Sequence, residues 1–119
     1  MSRLFCTVVS LFLLAGPAFA HSTMERSEPK ADETLKVAPQ EVRFWFSEPI
    51  KAGLSTFEVR DAAGKQVDQR DLRADEKQAA LVRLSLAAGL PPGLYQVTWS
   101  AVAQDMHVGK GGFSFKIQP

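Results

Sequence analysis

Strict alternation of apolar with other side chains, in short segments separated by turn residues, limits this chain to one class of fold. In the segment 41–47, Val42, Phe44 and Phe46 occupy every second position. Successive residues of a β-strand point to opposite faces, so this spacing predicts a strand with one buried face. No segment shows a convincing amphipathic helical period, and the chain is therefore predicted to be all-β.

Similar segments recur along the chain and give about seven short strands in all. The turns between them contain Gly, Pro or Asp, as in the segment 61–64, which predicts a hairpin. Short strands spaced by such turns predict a Greek-key β-sandwich or small barrel. The other predicted strands are an edge strand or extended arm within 22–28, one short strand between 29 and 39, and strands at 54–60, 65–70, 81–86, 93–101 and 113–117.

Aromatic and aliphatic residues of these strands are predicted to form the core. Tyr95 follows a Pro-Gly turn at the start of a long strand, which is typical of the tyrosine corner of such sandwiches. The apolar phase slips between Leu54 and Phe57, which predicts a bulge or a late strand start. The charged segment 71–77 is predicted to be a solvated loop. Further predicted core residues are Leu35, Val37, Val97 and Trp99.

Residues 1–20 have the pattern of a cleavable secretory signal. Arg3 supplies the positive start, the apolar run 8–14 follows, and Ala18-Phe19-Ala20 has the form that signal peptidase cleaves. Cleavage there would make His21 the first residue of a single mature domain, residues 21–119. The apolar run is too short to span a bilayer, which disfavours the alternative of an uncleaved anchor.

The composition of residues 21–119 argues against several classes of function. Cys6 is the only cysteine and would be removed with the signal, so the domain must be stable in an oxidising compartment without a disulfide. The formal net charge is +1, and loss of Arg3 leaves the mature chain neutral. Neutrality disfavours nucleic acid as a partner and gives no electrostatic reason to bind anionic lipid. The mature protein is predicted not to be membrane-embedded, because no later stretch could span a bilayer. It is also predicted not to be an enzyme, and a nucleophilic hydrolase in particular is disfavoured because no serine or cysteine lies in a recognisable catalytic segment.

The chain contains only two histidines, and their positions point to a metal site. As a terminal residue, His21 would offer its α-amine and its imidazole in one chelate ring. In extended backbone, Asp105 and His107 would present a carboxylate and an imidazole on the same side, with Met106 turned away. Nitrogen and oxygen donors of this kind suit copper(II), and zinc(II) would accept the same set.

A set of motifs in fixed order resembles the CopC family of periplasmic copper-resistance proteins. The motifs are His21 with Ser27-Glu28-Pro29, then VRFWFSEP at 42–49, PGLYQVTW at 92–99, Asp105-Met106-His107, and GFSF at 112–115. The resemblance implies a Greek-key β-barrel of immunoglobulin-like character. It also implies that His21, Asp105 and His107 bind copper(II). Glu48 matches a family glutamate near the copper, which would make it an axial ligand or a neighbouring group.

The same resemblance implies a role in copper resistance or homeostasis in the periplasm, beside an inner-membrane copper transport protein. Family members with a copper(I) site carry a methionine-rich loop, whereas the segment 61–77 has no methionine, which favours copper(II) alone. Copper affinity is expected to fall below about pH 6, because the amine and imidazoles bind a metal only when they are deprotonated.

Two other functions remain open from the sequence. A terminal histidine that chelates copper resembles the histidine brace of lytic polysaccharide monooxygenases, which are oxidising enzymes. A flat aromatic substrate face is not evident, however, because the tyrosine and both tryptophans fall in strand patterns. The other alternative is a metal-free immunoglobulin-like interaction module, whose thermal stability copper would not change.

Overall fold

The computed structural model describes residues 23–119, and within them most of the predicted strands form. His21 and the predicted signal lie outside the described residues. A short 3-10 turn, Ala52–Leu54, is the one helical element of the described part, where no helix is long or apolar enough to cross a membrane. The strands are β1 (Met24–Glu28), β2 (Thr34–Leu35), β3 (Glu41–Phe46), β4 (Thr56–Arg60), β5 (Arg73–Ala74), β6 (Leu81–Ser85), β7 (Gly93–Val102) and β8 (Val108–Ile117).

The strands form two four-stranded sheets. One sheet has the order β1-β3-β6-β5 and the other β2-β8-β7-β4. Within the described residues the named pairs are antiparallel, apart from the short parallel pair of β2 and β8. Buried residues of both sheets share one core, which confirms the predicted all-β sandwich. The first strand lies at an edge, in agreement with the predicted edge strand.

Aromatic side chains fill the part of the core between β3 and the opposite sheet. Phe44 is fully buried, and its ring centroid lies 4.8 Å from that of Phe57, 5.9 Å from that of Trp99 and 6.3 Å from that of Phe113. The predicted core position of Phe46 is confirmed, while Trp99 is half-buried and packs against the core. The alternation in β3 therefore places its apolar side chains where the two sheets meet.

One predicted core contact and the predicted start of one strand do not form as expected. Val37 is 78% exposed, because it lies in the irregular connection after β2 rather than in a strand that faces the core. Leu54 is also exposed, because the amide of Leu54 donates to the carbonyl of Lys51 and closes a local turn. Strand β4 consequently starts only at Thr56, which is the late start that the phase slip predicted.

The predicted return strand at 65–70 is wrong, although the turn before it forms. Gly64 has a φ of 83°, and its amide donates to the carbonyl of Asp61. Beyond the turn, the buried carboxylate of Asp68 accepts hydrogen bonds from the amides of Val59 and Arg70. A side chain thus replaces ladder hydrogen bonds, and only isolated bridges form in this range. The predicted loop at 71–77 contains the two-residue strand β5.

Tyr95 forms the predicted tyrosine corner, and its hydroxyl is hydrogen-bonded to the backbone. The buried phenol donates to the carbonyl oxygen of Pro91 at 2.5 Å and stacks on Phe115. Burial, together with the charge of Asp61, raises the pKa of Tyr95, so the hydroxyl stays protonated and can donate. We expect Tyr95→Phe to lower the free energy of unfolding by about 1 kcal/mol, the usual value of one hydrogen bond. Urea denaturation measures this, and an unchanged midpoint would show that the corner does not contribute.

Candidate metal site

The hairpin between β7 and β8 carries the Asp-x-His pair. Val102 pairs with Val108, and inside them the amide of Ala103 donates to the carbonyl of His107 at 2.9 Å. The amide of Met106 donates to the carbonyl of Ala103, and Met106 itself has a φ of 70°. A turn followed by one left-handed residue is a common way to close a three-residue hairpin loop. Methionine here occupies a position that usually takes glycine or asparagine.

The structure brings Asp105 and His107 into direct contact, but not through extended backbone. The Nδ1–H of His107 donates to Oδ2 of Asp105 at 2.7 Å, and the amide of His107 donates to Oδ1 at 3.1 Å. A carboxylate can only accept, so Nδ1 carries the proton in this arrangement. The prediction that the two side chains lie together is therefore correct, but the predicted extended backbone is wrong. Instead, the left-handed conformation of Met106 folds the two side chains together. Met106 is exposed, as predicted.

The contacts of Asp105 fix both its charge and the orientation of the imidazole. The hydrogen bonds from the ring and the amide of His107 hold the pKa of Asp105 below its usual value. The carboxyl group therefore stays ionised at neutral pH and holds the His107 ring through Nδ1. Metal-binding histidines are commonly held in this way, with one ring nitrogen on a carboxylate and the other directed to the metal.

A five-residue stretch, which we name the linking segment (residues 47–51), connects the amino-terminal arm to this hairpin. The amino-terminal arm is the part of the mature chain up to Met24. At one end, the amide of Thr23 donates to Oγ of Ser47 and the amide of Ser47 donates to the carbonyl of Thr23, both at 2.9 Å. At the other end, the amide of Gln104 donates to the carbonyl of Pro49 at 3.2 Å. The amide of Lys51 donates to the carbonyl of Val102 at 2.8 Å. The segment thus holds Thr23, two residues after His21, and Gln104, the neighbour of Asp105.

Glu48 is the second residue of the linking segment and has an unusual environment. Its Oε2 atom is buried and makes no hydrogen bond within the part of the chain that the structure describes. A buried carboxylate oxygen without a partner is costly, and a cation is one kind of group that would satisfy it. The structure does not gather Glu48 with Asp105 and His107 into one cluster, since residues 23–119 contain no group of three or more acidic, histidine or cysteine side chains that could hold a metal.

The contacts of Ser47 and the left-handed conformation of Met106 were not predicted from the sequence. Ser47 has the local signal of a strand end, where its hydroxyl can bond a neighbouring backbone. Its partner, Thr23, is distant in sequence, so this contact follows only from the strand pairing of β1 with β3. No local signal marks the left-handed conformation of Met106, because methionine rarely adopts it.

The chain is similar in sequence to proteins of copper metabolism. The CopC domain family model matches residues 24–118. The copper transport protein CutJ of Bacillus subtilis is 30% identical over 112 residues, which cover 92% of this chain but only 21% of CutJ. Protein YobA of Escherichia coli K12 is 25% identical, with 98% of this chain and 94% of YobA covered. Copper resistance protein C of Escherichia coli is 28% identical, with 99% of this chain and all of that protein covered.

Two solved structures share the fold. The crystal structure of CopC from Methylosinus trichosporium OB3b superposes with a TM-score of 0.75 at 23% identity, covering 83% of this chain and 95% of that one. PcoC, a methionine-rich copper resistance protein from Escherichia coli, superposes with a TM-score of 0.72 at 24% identity, covering 83% of this chain and all of PcoC. At these identities the likeness shows the β-sandwich fold alone.

Proposed function

Because the chain belongs to the CopC domain family, we propose that it is a periplasmic protein that binds copper(II) as cargo. Membership of the family supports copper as the ligand, and the hydrogen bonds of the linking segment support the proposed geometry of the site. This segment is hydrogen-bonded both to the amino-terminal arm and to the hairpin that carries Asp105 and His107. The protein would hold or deliver copper by ligand exchange and would catalyse no reaction.

The amino-terminal half of the proposed site depends on cleavage after Ala20. We propose that the mature protein begins at His21 and binds copper(II) through its α-amine and its imidazole. The backbone supports this proposal, because Thr23 is held at Ser47 and two residues span at most about 7 Å. The terminal histidine is thereby tethered to the linking segment, whose other end contacts the hairpin.

The other half of the site comes from the β7–β8 hairpin. His107 would bind through Nε2, the ring nitrogen that Asp105 does not contact. Asp105 would add an oxygen, since a carboxylate has lone pairs beyond those that accept from His107. Glu48 would serve as an axial ligand or a neighbouring group, and its buried Oε2 supports that role. Two imidazoles, an amine and a carboxylate suit a tetragonal geometry. Copper(II) favours this geometry, so the donor set is expected to prefer copper(II) to zinc(II).

A copper(II) titration of the protein that starts at His21 tests the proposal. We expect one equivalent to bind, with an electron paramagnetic resonance spectrum typical of tetragonal nitrogen coordination. Zinc(II) should compete only weakly, because copper(II) forms the more stable complexes with such donors. A protein that binds no copper and keeps the same melting temperature in its presence would instead be a metal-free interaction module.

Replacing Asp105 tests the hairpin half of the site. We expect Asp105→Asn to raise the copper(II) dissociation constant about ten- to hundredfold, because an amide supports the His107 ring more weakly and donates less charge to the metal. Asp32→Asn is the matched control, since Asp32 has a φ of 62° that asparagine tolerates and its amide contacts β8 only at Ser114, seven residues beyond His107. Equal affinities of the two variants would contradict the role of Asp105.

We also propose that copper is passed to an inner-membrane copper transport protein in the periplasm. The similarity to CutJ supports this proposal. CutJ is named a copper transport protein, and a stretch similar to this chain forms about a fifth of it. Fractionation of cells that express the full chain tests the location. The proposal requires the protein in the periplasmic fraction, with a mass that starts at His21.

A further inference from the structure

Ser47 holds the amino-terminal arm at two points. Its Oγ accepts a hydrogen bond from the amide of Thr23, and its own amide donates to the carbonyl of Thr23, both at 2.9 Å. Two hydrogen bonds between the same two residues fix the direction of the chain at Thr23 as well as its position. One of the two depends on the side chain of Ser47, whereas any residue other than proline could make the other.

A β-bulge between Met24 and Arg26 makes this anchor more important. Met24 lies opposite Phe46 and Arg26 lies opposite Trp45, so Glu25 is an extra residue in β1. A bulge interrupts the ladder and re-aims the strand, and such bulges are common beside functional sites. The arm beyond the bulge is therefore held by the pairing of Met24, by the packing of its side chain against the core and by the two contacts of Ser47.

We propose that Ser47 is a positioning residue for copper binding, because its hydroxyl fixes the arm that presents His21 to the hairpin. This inference rests on the proposed function, and it adds a group that does not itself touch the metal. A terminal residue that is free to move loses conformational entropy when it binds a metal. A hydroxyl that orders the chain at Thr23 in the metal-free protein removes part of that loss beforehand.

The first test is the copper(II) affinity of Ser47→Ala in the protein that starts at His21. We expect the dissociation constant to rise about five- to tenfold, the equivalent of one hydrogen bond. Ser47→Thr keeps the hydroxyl and should retain most of the affinity. The matched control is Ser114→Ala, which removes an exposed hydroxyl that donates to Gln96 in the β7–β8 pair, and which should bind copper as the unaltered protein does.

The second test repeats Ser47→Ala in a protein with one extra residue before His21. The terminal amine is then displaced from His21, so the substitution should cause no further loss of affinity. An equal loss in both proteins would overturn the proposal, as would an unchanged affinity in the protein that starts at His21. A failure of that unaltered protein to bind copper would overturn the proposed function itself, which is a different result.

If Ser47→Ala lowers the melting temperature of the metal-free protein, a second variant can test the same hydrogen bond. Thr23→Pro removes the same hydrogen bond from the donor side, because proline has no amide N–H. The proposal requires this variant to lose about five- to tenfold in affinity as well. Thr23→Pro with unaltered copper affinity would overturn it.

Discussion

One extra residue before His21 is expected to weaken copper(II) binding by at least about a hundredfold, since merely disturbing a group that orients a metal ligand already costs ten- to hundredfold. The extension converts the terminal amine of His21 into an amide, which is not a comparable donor at neutral pH. The chelate ring of amine and imidazole is then lost, although every side chain of the protein is kept. Competitive titration against a chelator of known affinity, for both proteins, measures the effect.

A matched control separates the loss of the amine from a disturbance of the arm. An extra residue at the carboxyl end, after Pro119, lengthens the chain equally and should leave copper binding unchanged. If both extended proteins bind as tightly as the one that starts at His21, the amine is not a ligand. The site would then have to be sought around Asp105 and His107 alone, with Glu48 as the remaining carboxylate.

Phe44→Ala is expected to lower the free energy of unfolding by about 3–5 kcal/mol, the usual cost of truncating a buried phenylalanine. The ring of Phe44 is fully buried and contacts aromatic rings from β4, β7 and β8 of the opposite sheet. Its loss leaves a cavity between the sheets that rigid strands cannot close. Because small domains have only about 5–15 kcal/mol of stability, much of the variant could be unfolded at 37 °C.

Leu94→Ala is the control for this prediction. Leu94 is 45% exposed on β7, so its truncation should change the free energy of unfolding by about 0.5 kcal/mol or less. Urea denaturation of both variants, with fluorescence and circular dichroism as probes, gives the two values. A loss at Phe44 no larger than that at Leu94 would contradict the view that the aromatic contacts between the sheets dominate stability.

Much of the fold could be predicted from local sequence, and β3 shows why. Its apolar side chains are buried at every second position, as the sequence alternation predicts. The agreement arises because the direction of side chains along a strand also alternates with a period of two. Val37 has no such pattern around it, so its apolar character alone was a poor guide to burial. The segment 65–70 had turn and strand signals, but the side chain of Asp68 competes with the ladder, and composition does not reveal such competition.

The candidate site was predictable only in part. Asp105 and His107 could be identified because they are close in sequence, and their contact follows from one tight turn. The link between the hairpin and the arm depends on Ser47 and Pro49, whose partners are distant in sequence. Pairing of this kind is set by the whole sheet arrangement rather than by neighbouring residues. The ligand roles of His21, Asp105, His107 and Glu48 stay predictions.

The linking segment also determines when copper could first be acquired. It joins Thr23, made early in translation, to Gln104, which is made near the end, so a growing chain that has not reached Gln104 lacks one of the two parts. Until the proposed cleavage after Ala20, the nitrogen of His21 belongs to a peptide bond and cannot act as an amine. Under the proposed function, loading must wait for export, cleavage and folding. Copper at a hundred times its dissociation constant would then stabilise the finished fold by about 2.7 kcal/mol. The fold would thus prevent the nascent protein from binding copper in the compartment where it is made.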